Sequence, residues 1–192
     1  MFILDLTSIA IKTGYLTALA SSIKLLISQD MLWAKDTNIA FIGMHKVMEL
    51  IDLTKSTPHI YTIHPSMKDM APIPLQNLII PINECKCLDS FLNSLPTMFN
   101  FADDEICLNE TISILKHMTR GNGGKVLLMT AAHDVTKIPN LLPSLDVANK
   151  DGMNKQMLRS SDYYQQIAQY LCIEACVSVD IFAFGNSFMV RT

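Results

Sequence analysis

The chain has 192 residues, of which 49% are hydrophobic and 17% charged, and a formal net charge of -3 from 15 basic and 18 acidic residues. That is enough apolar material for one sizeable core, and it excludes a disordered chain, which needs low hydrophobicity and high charge. With no basic surplus to neutralise a phosphate backbone, general nucleic-acid binding is disfavoured too.

No apolar run approaches the roughly 20 residues that a membrane-spanning helix needs. The stretch from Tyr15 to Ile27 is interrupted by Thr17, Ser21, Ser22 and Lys24. Met1-Phe2-Ile3-Leu4-Asp5 lacks the basic region of a signal peptide. It reads instead as a strand that starts at once, which leads us to expect a domain cut from a longer, multidomain protein. The five cysteines, Cys85, Cys87, Cys107, Cys172 and Cys176, are odd in number and fall in unrelated segments. They fit reduced, mostly buried cytosolic thiols better than a secreted disulfide framework.

Phe2-Ile3-Leu4 is a continuous apolar run, as expected of a strand covered on both faces. Tyr15, Leu16, Leu19, Ile23, Leu26 and Ile27 recur at helical spacing. Asp36-Thr37-Asn38 marks a turn before a second buried strand over residues 39–44, and residues 47–53 alternate as its hairpin partner. Between residues 54 and 81 lie five of the eight prolines. Proline removes an amide donor and disfavours helix before itself, so extended chain is expected there, with a short strand around residues 59–64. Helical spacing resumes over residues 83–95, with Pro96 as its expected end. Asp103-Asp104-Glu105 is placed at the start of a helix over residues 106–118, where acidic groups complement the helix dipole. Residues 125–130 form the next buried strand, and residues 131–160 a long loop. A helix over residues 163–175, capped by Ser161-Asp162, precedes a last strand over residues 177–184. Continuously apolar strands alternating with helices predict an α/β domain, doubly wound, with a mostly parallel sheet, helices on both faces and an antiparallel edge strand.

Ligands of open α/β sheets sit beyond the carboxyl ends of the strands. Asp5 stands at that end of the first strand, and the turn after it has no glycines to cradle a phosphate. An aspartate followed by hydroxyl residues at alternate positions is instead the start of a metal-ion-dependent adhesion site, D-x-S-x-S, whose hard oxygens hold Mg²⁺. Asp5 and Thr7 match its first two positions, but the third is Ile9, which offers no ligand oxygen. We read the site as degenerate, with Asp5 and Thr7 bonded to the turn backbone. Gly121-Asn122-Gly123-Gly124-Lys125 precedes a strand and follows a helix, the reverse of a phosphate-binding loop, and reads as a helix stop and tight turn. His45, His59, His64, His117 and His133 share no metal-ligand spacing, and the dipeptide His133-Asp134 reads as loop. Cys85-Lys86-Cys87 lacks a second pair for zinc, and Cys172 and Cys176 are expected in the core of their helix. There is no G-x-S-x-G elbow to support a hydrolase serine.

Several segments resemble one family in order along the chain. Phe2-Ile3-Leu4-Asp5-Leu6-Thr7 followed by Ala10-Ile11-Lys12-Thr13-Gly14 is similar to the opening of the trunk domain in the cargo adaptor of the COPII vesicle coat (the Sec-twenty-four type), with its aliphatic run, D-V-S and A-I-x-S-G. Leu92-Asn93-Ser94-Leu95-Pro96-Thr97-Met98-Phe99 resembles its L-x-S-L-P-x-M-F segment, and Gly123-Gly124-Lys125-Val126-Leu127-Leu128 its G-G-K strand. Tyr163-Tyr164-Gln165-Gln166-Ile167-Ala168 and Val177-Ser178-Val179-Asp180-Ile181-Phe182 are similar to its F-Y-K-x-x-A helix and x-V-D-x-F strand. The chain departs from the pattern after residue 131, where the family's S-L-P-x-x-G-x-G-x-L run has no counterpart glycines.

The resemblance implies a von Willebrand A-like trunk without enzyme activity. It implies a heterodimer with the other inner-coat subunit, and contact with cargo proteins and the coat GTPase through the full-length assembly. Peripheral association with the cytosolic face of the endoplasmic reticulum membrane and with COPII vesicles is implied as well. Structural zinc is expected only in a neighbouring zinc-finger domain, so no cofactor is expected here. An adhesion-type A domain binding Mg²⁺ and an acidic ligand is the first alternative, and Ile9 counts against it; a doubly wound enzyme using a mononucleotide is the second, and it lacks a phosphate loop and a nucleophile.

Overall fold

The computed structural model describes residues 1–29, 37–67, 74–101, 103–119, 123–131 and 162–184. In chain order these form β1 (Phe2–Asp5), α1 (Ser8–Lys12), α2 (Tyr15–Ser28), β2 (Asn38–Ile39), β3 (Phe41–Met44), β4 (Met48–Asp52) and β5 (His59–Ile63). Then come β6 (Ile80–Pro81), α3 (Leu88–Met98), α4 (Leu108–Met118), β7 (Gly124–Ala131), α5 (Asp162–Gln169) and β8 (Val177–Phe184). Short 3₁₀ turns at Pro65–Met67, Leu75–Leu78 and Ile82–Glu84 carry the proline-rich stretch.

Six strands make one sheet in the order β5-β4-β3-β1-β7-β8. β3, β1, β7 and β8 run parallel, and β4 pairs antiparallel with both β3 and β5. The reversed strand is therefore β4, one place in from the edge, and β5 closes that side. β2 and β6 form a separate antiparallel pair.

β1 lies between β3 and β7, so both of its faces are covered and all four of its residues are buried. That is why it reads as an unbroken apolar run rather than an alternating one. The alternation is present in space. Phe2 and Leu4 face one core together with Phe41, Ile51 and the inner sides of α2 and α3. Ile3 faces the other with Ile42, Leu50, α4 and α5. Helices thus cover both faces, as the strand pattern predicts. In the first core Phe2 stacks on Phe41 at 5.1 Å, and Phe41 meets Phe91 of α3 at 5.0 Å with the rings tilted by 58°.

Three boundaries differ from the sequence reading, the first being the strand expected over residues 39–44, which divides at Ala40 so that Ile39 pairs with β6 in the small sheet and only Phe41–Met44 join the main one. α3 begins at Leu88, after a 3₁₀ turn, and continues through Pro96 to Met98. Proline in a last turn forfeits a single intrahelical bond there, and burial of Phe91, Leu92 and Leu95 holds the turn closed. The helix expected over residues 106–118 starts instead at Leu108, and Asp103 and Asp104 are drawn away to α1. The expected loop over residues 131–160 lies outside the described residues except for Ala131, which ends β7.

Leu95 is completely buried between α3 and the sheet. Leu95→Ala should lower the unfolding free energy by about 2–5 kcal/mol, through lost transfer energy and the cavity left behind. Urea denaturation of the two proteins measures it, and a loss below about 0.5 kcal/mol would contradict this packing.

Candidate functional site

The carboxyl end of β1 is the place where chemistry is expected, and Asp5 there has no solvent exposure. A buried carboxylate is costly unless every oxygen is bonded. One oxygen, Oδ1, accepts from the Thr7 amide at 3.0 Å and from the Thr7 hydroxyl at 2.7 Å. The other, Oδ2, accepts from the Thr130 hydroxyl at 3.1 Å and the Ala131 amide at 2.9 Å, both at the end of β7. Two bonds to each oxygen use the lone-pair directions that a cation would need. The Tyr15 hydroxyl donates to the Asp5 carbonyl at 2.6 Å. Burial, and then the Asp5 charge, push the phenol well above its usual range, so it remains a donor.

Thr7 has a second task. It is the N-cap of α1, and its hydroxyl oxygen accepts from the Ala10 amide at 3.4 Å. The other leading amides of α1 are also closed by protein. Ser8 N–H donates to the Asp103 carbonyl at 3.1 Å, and Ile9 N–H to Asp104 Oδ1 at 3.2 Å. The Ser8 hydroxyl reaches that same Asp104 oxygen at 2.6 Å. Asp104 thus supplies the negative charge at this helix start. Ile9 itself is 40% exposed and turns an alkyl chain outward. A Mg²⁺ ion, which demands near-octahedral oxygen ligands, does not fit this arrangement.

The expected site residues therefore come together as Asp5 and Thr7, while Ile9 stays apart. Sequence reading missed Thr130, Asp104 and Tyr15. The first two lie more than 90 positions from their partners, and only the sheet order brings them close.

A second polar cluster also went unforeseen. His45 and Glu49 are buried, with His45 Nε2 3.2 Å from Glu49 Oε1. The second Glu49 oxygen accepts from the Thr62 hydroxyl at 2.7 Å. The His45 ring stacks on Phe101 at 3.8 Å, and the His45 carbonyl accepts the Cys107 amide at 2.9 Å. Nδ1 of His45 has no hydrogen-bond partner among the described residues. The cluster pins the start of α4 to the β3–β4 turn. The His45 and Glu49 side chains are buried, while Thr62 at the rim of the cluster is exposed. The remaining histidines do not gather: His59 opens β5, His64 bonds Ser66 at 2.8 Å, and His117 lies near the end of α4. His133 and Asp134 lie outside the described residues. Among the described residues, no three His, Cys, Asp or Glu side chains gather as a metal site.

All five cysteines are free. Cys85, Cys87 and Cys107 are wholly or partly buried, as expected. Burial pushes the thiols of Cys85 and Cys107 up to about 11, so neither is a ready thiolate at neutral pH. Cys85 and Cys87 border a groove of about 410 Å³ beside the start of α3. Cys172 and Cys176 are not in the core. The buried stripe is Ile167, Leu171 and Ala175, one position earlier, and the last turn widens to a π-helix at Tyr170–Glu174. Cys176 then takes a left-handed conformation at φ 53, and its carbonyl accepts the Gly124 amide at 3.1 Å. Gly123, at φ 63, belongs to the same crossing, where a side chain would meet the Cys176 carbonyl at 3.2 Å.

The family model for the Sec23/Sec24 trunk domain matches residues 1–190. The chain belongs to the Sec23/Sec24 trunk domain family. This trunk domain is 26% identical over 98% of its length to protein transport protein SEC24-2 of Candida glabrata. It is 24% identical, over 98% of its length, to protein transport protein Sec24A of Bos taurus. It spans 22% and 17% of those two proteins, about a fifth of their length. The crystal structure of the human COPII-coat protein Sec24c has the same fold, with a TM-score of 0.78 and 22% identity over 97% of this chain and 26% of that one. The trunk's most specific motif, residues 92–99, is packing rather than chemistry: Leu92, Leu95 and Phe99 all enter the core.

Removing the Asp5 carboxylate takes the acceptor from the Thr7 amide and hydroxyl, the Thr130 hydroxyl and the Ala131 amide. Asp5→Ala should therefore lose about 3 kcal/mol of stability, as expected when buried bonds to a charged group are broken. Chemical denaturation checks this, and a loss under about 1 kcal/mol would show that solvent replaces the bonds. Thiol labelling of the native protein at pH 8 should modify Cys172 and Cys176 first. Cys85, Cys87 and Cys107 should react at a comparable rate only after denaturant is added. Mass spectrometry of the labelled peptides distinguishes the two groups.

Proposed function

We propose that this trunk domain is a non-enzymatic scaffold of the Sec24 type in the COPII inner coat, and that it pairs with the trunk of the other inner-coat subunit. The match to the trunk family over residues 1–190 carries the reading. The relatives named above are protein transport proteins of the Sec24 type. In this reading residues 1–192 are one domain of a longer multidomain chain. Cargo proteins and the coat GTPase are engaged by the full assembly. The domain works at the cytosolic face of the endoplasmic reticulum membrane and on COPII vesicles, as a peripheral component without nucleic-acid contacts. No helix among the described residues is long and apolar enough to cross a membrane.

The site chemistry supports a scaffold. Asp5 has its lone pairs filled by protein donors, the Ile9 side chain offers no oxygen, and the His45–Glu49 pair is buried. We assign no metal, cofactor or catalytic role to Asp5, Thr7 or Ile9. Structural zinc is left to a neighbouring zinc-finger domain. The same features disfavour an adhesion-type domain binding Mg²⁺ and an acidic ligand.

The test is a pull-down of this domain against the trunk of the other inner-coat subunit, run with and without Mg²⁺ and paired with Mg²⁺ calorimetry. Metal-independent capture with no saturable heat is the expected result. Failure to bind the partner together with a saturable Mg²⁺ heat would overturn the reading in favour of the adhesion-type domain.

A further inference from the structure

We draw no further inference here: the strongest candidate, the apolar surface of edge strand β8, where Val179, Ile181 and Phe182 stand exposed and Ile173 is exposed on the turn before it, carries none because nothing in the structure shows what covers it.

Discussion

A carboxylate sealed at the end of the central strand has to be satisfied from within the protein, and the architecture around Asp5 follows from that demand. Its two oxygens draw on the turn that follows β1 and on the end of β7. The first contact sets the turn so that Thr7 can start α1. The second fixes where β7 ends beside β1. One side chain thereby ties together a strand, its neighbour in the sheet and the helix that leaves the strand. A neutral side chain of the same size would avoid the desolvation cost, but it would also lose the bonds that define the turn.

An adhesion-type site and this one begin from the same elements, an aspartate and a hydroxyl two positions on. Which oxygens remain free decides between them. Here the hydroxyl of Thr7 donates to the carboxylate, the hydroxyl of Thr130 approaches its far side, and Asp104 is spent on Ser8 and the Ile9 amide. Both oxygens of the Asp5 carboxylate face protein donors. Replacement of the third hydroxyl position by Ile9 is the part of this change that the local sequence displays. The rest is distributed over three segments, and together they make this corner a joint between β1, β7 and α1.

The parallel sheet, the β3–β4 hairpin and the two helical layers were legible because each rests on local periodicity. Phe2-Ile3-Leu4 and Phe41-Ile42 are apolar on both faces, and α2 carries its stripe through Leu16, Ala20 and Ile23. Asp5 and Thr7 were legible as a turn pair for the same reason, being two positions apart. Long-range partners were not: nothing near Asp104 in sequence indicates that it belongs to the start of α1 rather than to the helix that follows it. Cys172 and Cys176 were misplaced by a subtler effect. Their four-residue spacing is that of a helix face, yet the buried face runs through Leu171 and Ala175, and the π-turn breaks the count before Cys176. Pro96 misled in the opposite direction, since a helix stop signal yields where tertiary packing already holds the last turn.

The reach of the Asp5 bonds also sets an order of assembly. Thr130 and Ala131 lie 125 and 126 residues after Asp5, so the carboxylate cannot be completed until most of the chain has been made. β1, β3, β4 and β5 all come from the first third of the sequence and can pair as they emerge, leaving one side of β1 open. During synthesis that side exposes a strand edge, an apolar face and a half-bonded charge together, a combination prone to mispairing. β7 closes all three at once. Contacts so distant in sequence are slow to form, and closing this corner requires the chain to bring residue 5 together with residues 130–131 across separations of 125 and 126 positions.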